Sequence, residues 1–430
     1  MEREFDILVA GAGSAGFCAA VQAGRLGKKV VLVERCGMPG GILTVGGNND
    51  IAQFFAHQKQ VISGIGWEYV KRLEAMGGAQ VPDMFVKDKP HWYYGVHVNI
   101  PLAAALMDEM LLEAGVTVCY EQVVAAAETA GCASDRKIDR VLITSKNGLI
   151  PVRAKTYIDC TGDGDLSVFA GAQVMEGEYR EDGTLSLQPG TVRYYIAPKS
   201  DADTERADRA MKEALEDGSL LPTDTMRRTY SGIVAPRGNN INHVSGYNGA
   251  DSEEKTAADI EGRRMVARII AAARRGGVMP DIEAMATETA MRETRRIVCD
   301  GCVTAEDYVA ARDYPDAVCT SFYPIDLHRD GMGGIQQVFL TDGQIPRIPL
   351  SAMTVKGLSN LFVAGRCACG DRLANSAYRV KASCMAMGQA CGAAAALAVD
   401  DNGGRTRGIS VEKLKSVLAE NGALVPGVNI

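Results

Sequence analysis

The chain has 430 residues, of which 47% are hydrophobic and 23% charged. That composition can bury a large core and excludes a disordered or fibrous protein; at roughly 150 residues per domain the length predicts two or three domains. The 46 Lys+Arg against 53 Asp+Glu leave a net charge of −7, which argues against a broad basic face for nucleic acid.

The opening Met1–Asp6 is charged and lacks the apolar core of a secretory signal. With 12 cysteines, read as reduced thiols, the expected location is the cytoplasm. Phe5–Ala10 is a short apolar run that predicts a buried parallel strand. Gly11-Ala12-Gly13-Ser14-Ala15-Gly16 follows at once, then an Ala-rich helical segment from Phe17 to Leu26, a stop at Gly27, and a second strand over Lys29–Val33 ending in Glu34.

This is the G-x-G-x-x-G pattern in its structural setting, between two strands and closed by an acid. Gly11 permits the tight turn, Gly13 lets a pyrophosphate approach the backbone, and Gly16 allows the helix to pack on the sheet. The N-terminus of the following helix directs free N–H groups and a positive dipole end at the phosphates. Glu34 can accept hydrogen bonds from ribose hydroxyls, and its charge opposes a 2′-phosphate, which favours FAD or NAD over NADP.

The next residues, Arg35-Cys36-Gly37-Met38-Pro39-Gly40-Gly41, depart from an NAD domain. Here the chain resembles the FAD-dependent oxidoreductase family with the glutathione-reductase-like flavin fold, within it the group related to fumarate reductase and succinate dehydrogenase flavoproteins. Tyr157–Asp165 looks like the strand and turn that close on the flavin nucleotide. Asn360–Arg366 looks like the last FAD-contacting strand, and Ala374–Leu397 like one long final helix whose start lies under the flavin ring. The resemblance spans both ends and residues 291–334, about two thirds of the chain. It implies FAD contacts from Gly11, Gly13, Ser14, Ala15, Gly16, Glu34, Arg35, Gly40, Gly41, Val123, Thr161, Gly162, Gly365, Arg366 and Val380. No histidine follows Gly41 where covalently flavinylated relatives carry their linkage, so the FAD is expected to be non-covalent.

The fold class is thus α/β: a Rossmann-like FAD-binding domain, glutathione-reductase-like, with an inserted α+β cap domain. Residues 1–165 and 336–430 form the two parts of the FAD domain and 166–335 the cap. Within the first part, 57–101 is aromatic-rich and either lines the pocket or packs as a subdomain. A helix is predicted over Leu102–Glu113, a strand over Val116–Val118, and hairpin strands over Val141–Thr144 and Ile150–Val152. In the cap, Asp251–Arg275 predicts a helix with Asp251 and Glu254 at capping-box spacing and an apolar stripe of Val266, Ile269, Ile270 and Ala273. Ala382–Val399 is uncharged and long enough for a membrane span, but its Ala, Gly, Cys, Ser and Gln content predicts a helix buried inside the protein, with no membrane partner.

Flavin supplies the redox chemistry, and the protein must bind, orient and polarise. His328 and Asp326 alternate along Tyr323–His328, so His328 can move a proton with Asp326 orienting it, or serve as a structural histidine. Arg379, which the resemblance puts beside the flavin, is the candidate to hold or polarise substrate. Arg292, Arg295 and Arg296 offer either a carboxylate clamp or an ion network around Glu293. Cys299/Cys302 and Cys367/Cys369 are read as unmodified thiols, with a metal, an iron–sulfur centre or a redox disulfide as the alternatives, and no metal site is expected.

The function expected is hydride transfer between a small organic substrate and FAD by a dehydrogenase or reductase. A second electron donor or acceptor completes turnover, and homo-oligomerisation is left open. The alternatives are a flavin-bearing electron-relay subunit of a larger redox complex, resting on the cysteine pairs, and an NAD-binding protein without flavin.

Overall fold

The computed structural model describes residues 3–132, 135–234, 242–331 and 334–430. Met1 and Glu2 of the charged opening lie outside the described residues.

The first unit is β1 (Arg3–Ala10), α1 (Ser14–Arg25) and β2 (Val30–Val33). The apolar run Ile7–Ala10 pairs in parallel with β2, Ile7 opposite Val30 and Ala10 opposite Val33, and is fully buried. The helix begins at Ser14, three residues before the predicted Phe17, because Gly13 already serves as its N-cap. Then come α2 (Ile100–Glu113), capped by Asn99, whose side chain accepts from the Leu102 N–H at 3.1 Å, and β3 (Thr117–Cys119) on the outer edge of β2.

An antiparallel meander follows, β4 (Val123–Ala130), β5 (Lys137–Ser145) and β6 (Gly148–Asp159). The predicted hairpin around residues 146–148 lies inside it. The long β6 joins two regimes: its first half pairs antiparallel with β5, while Val152–Asp159 runs parallel to Arg3–Ala10. The main sheet has seven strands in the order β3-β2-β1-β6-β5-β4, with β7 (Leu361–Val363) parallel to the end of β6. Turns at the carboxyl ends of β1, β6 and β7 therefore come together, as ligand-binding crevices of open α/β sheets require.

A second apolar core lies between α3 (Asp201–Glu216), α4 (Ser252–Arg275) and the strand Tyr194–Ile196, which pairs with the exposed strand Ile282–Met285. Within the predicted α4 stripe Val266, Ile269 and Ala273 are buried and Ile270 half-buried. The Asp251 carboxylate accepts from the Glu253 and Glu254 N–H groups; Glu254 accepts from Asn248 N–H instead of returning to Asp251, so the capping box is half-closed. Ile297, Cys299, Val303, Tyr308, Val318 and Ile325 pack instead in the larger core with the main sheet.

The single helix expected over Ala374–Leu397 is two: α5 (Arg372–Tyr378) and α6 (Lys381–Asp401). Arg379 closes α5, its N–H still donating to Asn375 C=O, and Val380 is extended (φ −67°, ψ 152°) before Cys384 N–H donates back to Val380 C=O. The break swings Arg379 out of helical register. α6 packs on α1 through small residues. A Cβ on Gly388 would lie 2.0 Å from Ala15 O and one on Gly392 2.3 Å from Ala19 O, so only glycine permits this approach. α6 is long and apolar enough to cross a membrane by length and composition, and 89% of its apolar window is buried inside the protein.

Candidate active site

The glycine turn shows three different duties. A Cβ on Gly11 (φ +91°) would lie 2.5 Å from Cys160 O, and one on Gly16 1.8 Å from Gly11 O. Those two are glycine because backbone occupies the space. A Cβ on Gly13 would meet nothing within 4 Å, so this position keeps space open above the helix start. No side chain caps α1, which leaves its first N–H groups, those of Ser14 and Ala15 among them, directed at that space.

Gly40 (φ +106°) and Gly41 (φ +54°) border the turn. Gly40 pairs with Gly13 and donates its N–H to Ala12 C=O at 2.7 Å, and a Cβ on Gly41 would lie 3.2 Å from Gly13 Cα. Glu34 is buried, and its carboxylate accepts from the N–H groups of Ala12 at 2.7 Å and Cys36 at 2.9 Å. It fixes the shape of the turn, a duty its position after β2 did not reveal, and retains acceptor capacity. Arg35 pairs with Glu288. Glu121 and Gln122 donate their N–H groups to Cys36 and Glu34 C=O, which sets Val123 beside this acid at the head of β4.

On the other side, the buried Asp159 carboxylate accepts from Thr161 N–H and Oγ1–H and from Ser167 N–H and Oγ–H, at 2.7–3.0 Å. This folds the turn carrying Gly162 (φ +82°). Arg366 donates to Asp163 at 2.6 Å and to Thr294 at 2.7 Å. Gly365 (φ +92°) meets Ala15: a Cβ there would lie 3.1 Å from Ala15 Cβ and 3.9 Å from Cys384 Sγ. The first turn, the last strand and the start of α6 therefore touch. Val380, half-buried, forms the joint.

The break between α5 and α6 adds a charged cluster. Arg379 donates to Gln188 Oε1 at 3.2 Å, and Arg292 donates to the adjacent Pro189 C=O at 2.7 Å. Two guanidinium groups thus bracket one loop. Burial and the neighbouring Arg379 charge press Arg292 down to about 9; burial likewise lowers Arg379, with Asp326 opposing. Arg379 Nε and Gln188 Nε2 are buried with no hydrogen-bond partner among the described residues.

His328 Nε2 lies 3.2 Å from Asp326 Oδ2, and its Nδ1 lies 3.1 Å from His243 Nε2. Gln337 also donates to Asp326, at 2.9 Å. Burial, then Arg292, pushes His328 down to about 3, so the ring is neutral at pH 7. Its Nε2–H donates to Asp326 and its Nδ1 accepts from His243. The predicted His328–Asp326 pair is present, but His328 carries a second partner, His243, which no local pattern announced.

Of the three arginines, Arg292 alone reaches this cluster. Arg295 pairs with Asp165, and the buried Arg296 binds Glu293 and Gly370 C=O. Glu293 also holds Arg372, so most of that run is an ion network. The aromatic stretch is largely packing: Trp67 meets Phe54 at a tilt and Phe55 edge-on, Tyr69 is buried against Phe17, and Trp92 is exposed.

The sequence reading also missed Lys381. It heads α6 and donates to Asp50 C=O at 2.8 Å, while the Asp50 carboxylate meets Arg193 at 3.0 Å and His97 at 3.2 Å. Burial presses Lys381 down to about 7. Its signal was available: a lone cation opening an uncharged run to Val399. Among the described residues no cysteine forms a disulfide, and no three His, Cys, Asp or Glu side chains are disposed to share a metal ion. A hollow of about 660 Å³ opens elsewhere, on α3, lined by Asp208, Arg209, Lys212 and Arg228; it shares none of these features.

The steric pattern of the three glycines, the uncapped helix and the buried acid define a dinucleotide-binding flavoprotein. Residues 6–418 match the family described as FAD dependent oxidoreductase. The chain belongs to that family, and its cofactor is FAD. The dihydrolipoyl dehydrogenase of Corynebacterium glutamicum is 36% identical over 82 residues, 17% of this chain and 17% of that protein, so the match spans less than a fifth of that relative. Among solved structures, the chain is similar to a geranylgeranyl bacteriochlorophyll reductase-like protein from Thermoplasma acidophilum (11% identity, 98% of this chain and 84% of that one, TM-score 0.43). It is also similar to p-nitrophenol 4-monooxygenase PnpA from Pseudomonas putida DLL-E4 (11% identity, 97% and 84%, TM-score 0.45).

Proposed function

We propose that this FAD-dependent oxidoreductase is a dehydrogenase or reductase that passes hydride between non-covalently bound flavin and a small organic substrate bearing a carboxylate. The carrying observation is the pair Arg292 and Arg379, two guanidinium groups around the Gln188–Pro189 loop, with Arg379 Nε and Gln188 Nε2 given no hydrogen-bond partner by the described residues. A planar oxyanion supplies acceptors to such a fork and relieves the mutual repulsion of the two cations.

Bound FAD supplies the hydride acceptor or donor. Its diphosphate fits the space kept open by Gly13, bordered by Ser14, Ala15, Gly40 and Gly41. Thr161, Gly162, Gly365 and Arg366 are assigned to its other side, and Val123, beside Glu34, to the adenosine end. Arg35, paired with Glu288, serves the site through that contact. The substrate enters between the nucleotide-binding residues 1–165 and 336–430 and the 166–335 segment, which contributes Gln188, Arg292, Asp326 and His328.

Arg379 holds and polarises the substrate. The accompanying proton is assigned to the Asp326–His328–His243 chain. There Asp326 orients the neutral ring of His328 by accepting from its Nε2–H.

Anaerobic mixing of the purified flavoprotein with hydroxy acids, amino acids, enoates and sugars tests the reading: reduced enzyme is used for the enoates, oxidised enzyme for the rest. Flavin bleaching or recovery confined to carboxylate-bearing compounds is expected. Reaction with uncharged sugars alone would overturn it.

A further inference from the structure

A group of thiols lies outside the site just described. Val303 pairs in parallel with Gly370; Val303 N–H donates to Cys369 C=O at 3.2 Å and Asp371 N–H to Val303 C=O at 2.9 Å. The preceding residue on each segment is a cysteine, so Cys302 and Cys369 are neighbours in register. Paired strands lie about 4.7–4.9 Å apart, inside the roughly 4.4–6.8 Å that a disulfide spans between Cα atoms. The Cys302, Cys369 and Cys299 thiols are near enough to perturb one another electrostatically. Cys302 is exposed, whereas Cys369 and Cys299 are buried.

Both segments are already held in place. Arg296 Nε–H donates to Gly370 C=O at 3.1 Å, and the Asp371 carboxylate accepts from Ala305 N–H at 2.6 Å. Closing a disulfide therefore asks for side-chain rotation and little backbone movement.

We propose that Cys302 and Cys369 form a reversible oxidation site whose oxidant is hydrogen peroxide. The Cys302 sulfur, open to solvent, attacks one peroxide oxygen. The O–O bond breaks, the departing oxygen takes up a proton as water, and Cys302 becomes a sulfenic acid. The Cys369 sulfur then attacks Cys302, the S–S bond forms, the S–O bond breaks, and a second water leaves with the Cys369 proton. Two thiols lose two electrons and one peroxide becomes two waters. A small dithiol reverses the step. The cross-link ties the segment before residues 305–309 to the loop that follows Gly365 and Arg366. The inference does not rest on the proposed reaction.

The neighbouring Cys299 thiol and burial push Cys369 up to about 11, and the neighbouring Cys369 thiol raises Cys302. Both are protonated at neutral pH. Since the thiolate is the nucleophile, oxidation accelerates with pH.

The test uses the intact flavin-loaded protein, treated with hydrogen peroxide at pH 7 and pH 9, denatured, alkylated and digested. A linked peptide pair containing Cys302 and Cys369, two hydrogens lighter than the separate thiol peptides and lost on dithiothreitol treatment, is expected. It should form about tenfold faster or more at pH 9. C302S, at an exposed position, should abolish it, and C132S should leave it unchanged. Alkylation of both cysteines after peroxide, a Cys299–Cys369 link, sulfinic acid at Cys302 without a cross-link, or equal rates at the two pH values would overturn the proposal.

Discussion

The nucleotide turn and the charged cluster beside it are built by opposite means. Around Gly11, Gly16, Gly388 and Gly392 the chain removes side chains so that backbones can touch, and packing decides the geometry. Around Gln188, Arg292, Asp326, His328 and Arg379 it buries charge and polar groups, and electrostatics decides. The first region tolerates almost no added atom. The second tolerates shape changes better than loss of charge, because an unpaired buried charge costs more than a cavity of the same size.

The sharpest way to break this contrast is Gly388→Ala. The added Cβ would lie 2.0 Å from Ala15 O, a backbone atom that cannot move aside. A loss of about 3 kcal/mol or more is expected, read by thermal melting or failure to fold. A melt within a degree or two of wild type would show that packing does not fix the α1–α6 approach.

Next in size is Arg379→Ala. Loss of a charge-assisted contact to substrate should lower kcat/KM about 100-fold with flavin content unchanged. Wild-type kinetics would remove Arg379 from the site.

The pH dependence of stability is third. The folded pKa of His328 lies near 3, below its usual 6.5, so the unfolded chain binds the proton first. This residue's contribution is therefore intact above pH 6.5 and is lost as pH falls toward 3. Relative to a His328→Asn variant, wild type should lose on the order of 2–3 kcal/mol more between pH 6.5 and 4. Parallel unfolding curves for the two proteins would contradict a neutral, buried His328.

The smallest effect separates folding from binding at one atom. Gly13→Ala places a methyl where nothing lies within 4 Å, so the melt of the flavin-free protein should move by less than about 0.5 kcal/mol. FAD affinity should nonetheless fall about tenfold, measured by flavin fluorescence on reconstitution. Unchanged affinity would mean that the phosphates do not approach Gly13.

The same contrast explains what was legible in the sequence. The glycine turn is written in six consecutive residues, and its steric logic is local. The cluster draws on residues 188, 243, 292, 326 and 379, which only the folded chain assembles, so His328 and Asp326 were found by their alternation while Gln188 and His243 left no trace. Glu34 is visible in the sequence as the acid after the second strand, yet its hydrogen bonds to Ala12 and Cys36 depend on how the turn curls back. The split between α5 and α6 was invisible because Arg379 and Val380 carry no helix-breaking signal; the break shows only in the extended backbone of Val380.

The central claim, a carboxylate seated on Arg292 and Arg379 within reach of the flavin, is tested most directly by titrating the oxidised flavoprotein with acetate, oxalate and succinate while recording the flavin spectrum. The account predicts a saturable perturbation by at least one of these anions in wild type, weakened by tenfold or more in Arg379→Ala. No perturbation by any of them, or equal affinity in both proteins, would contradict it.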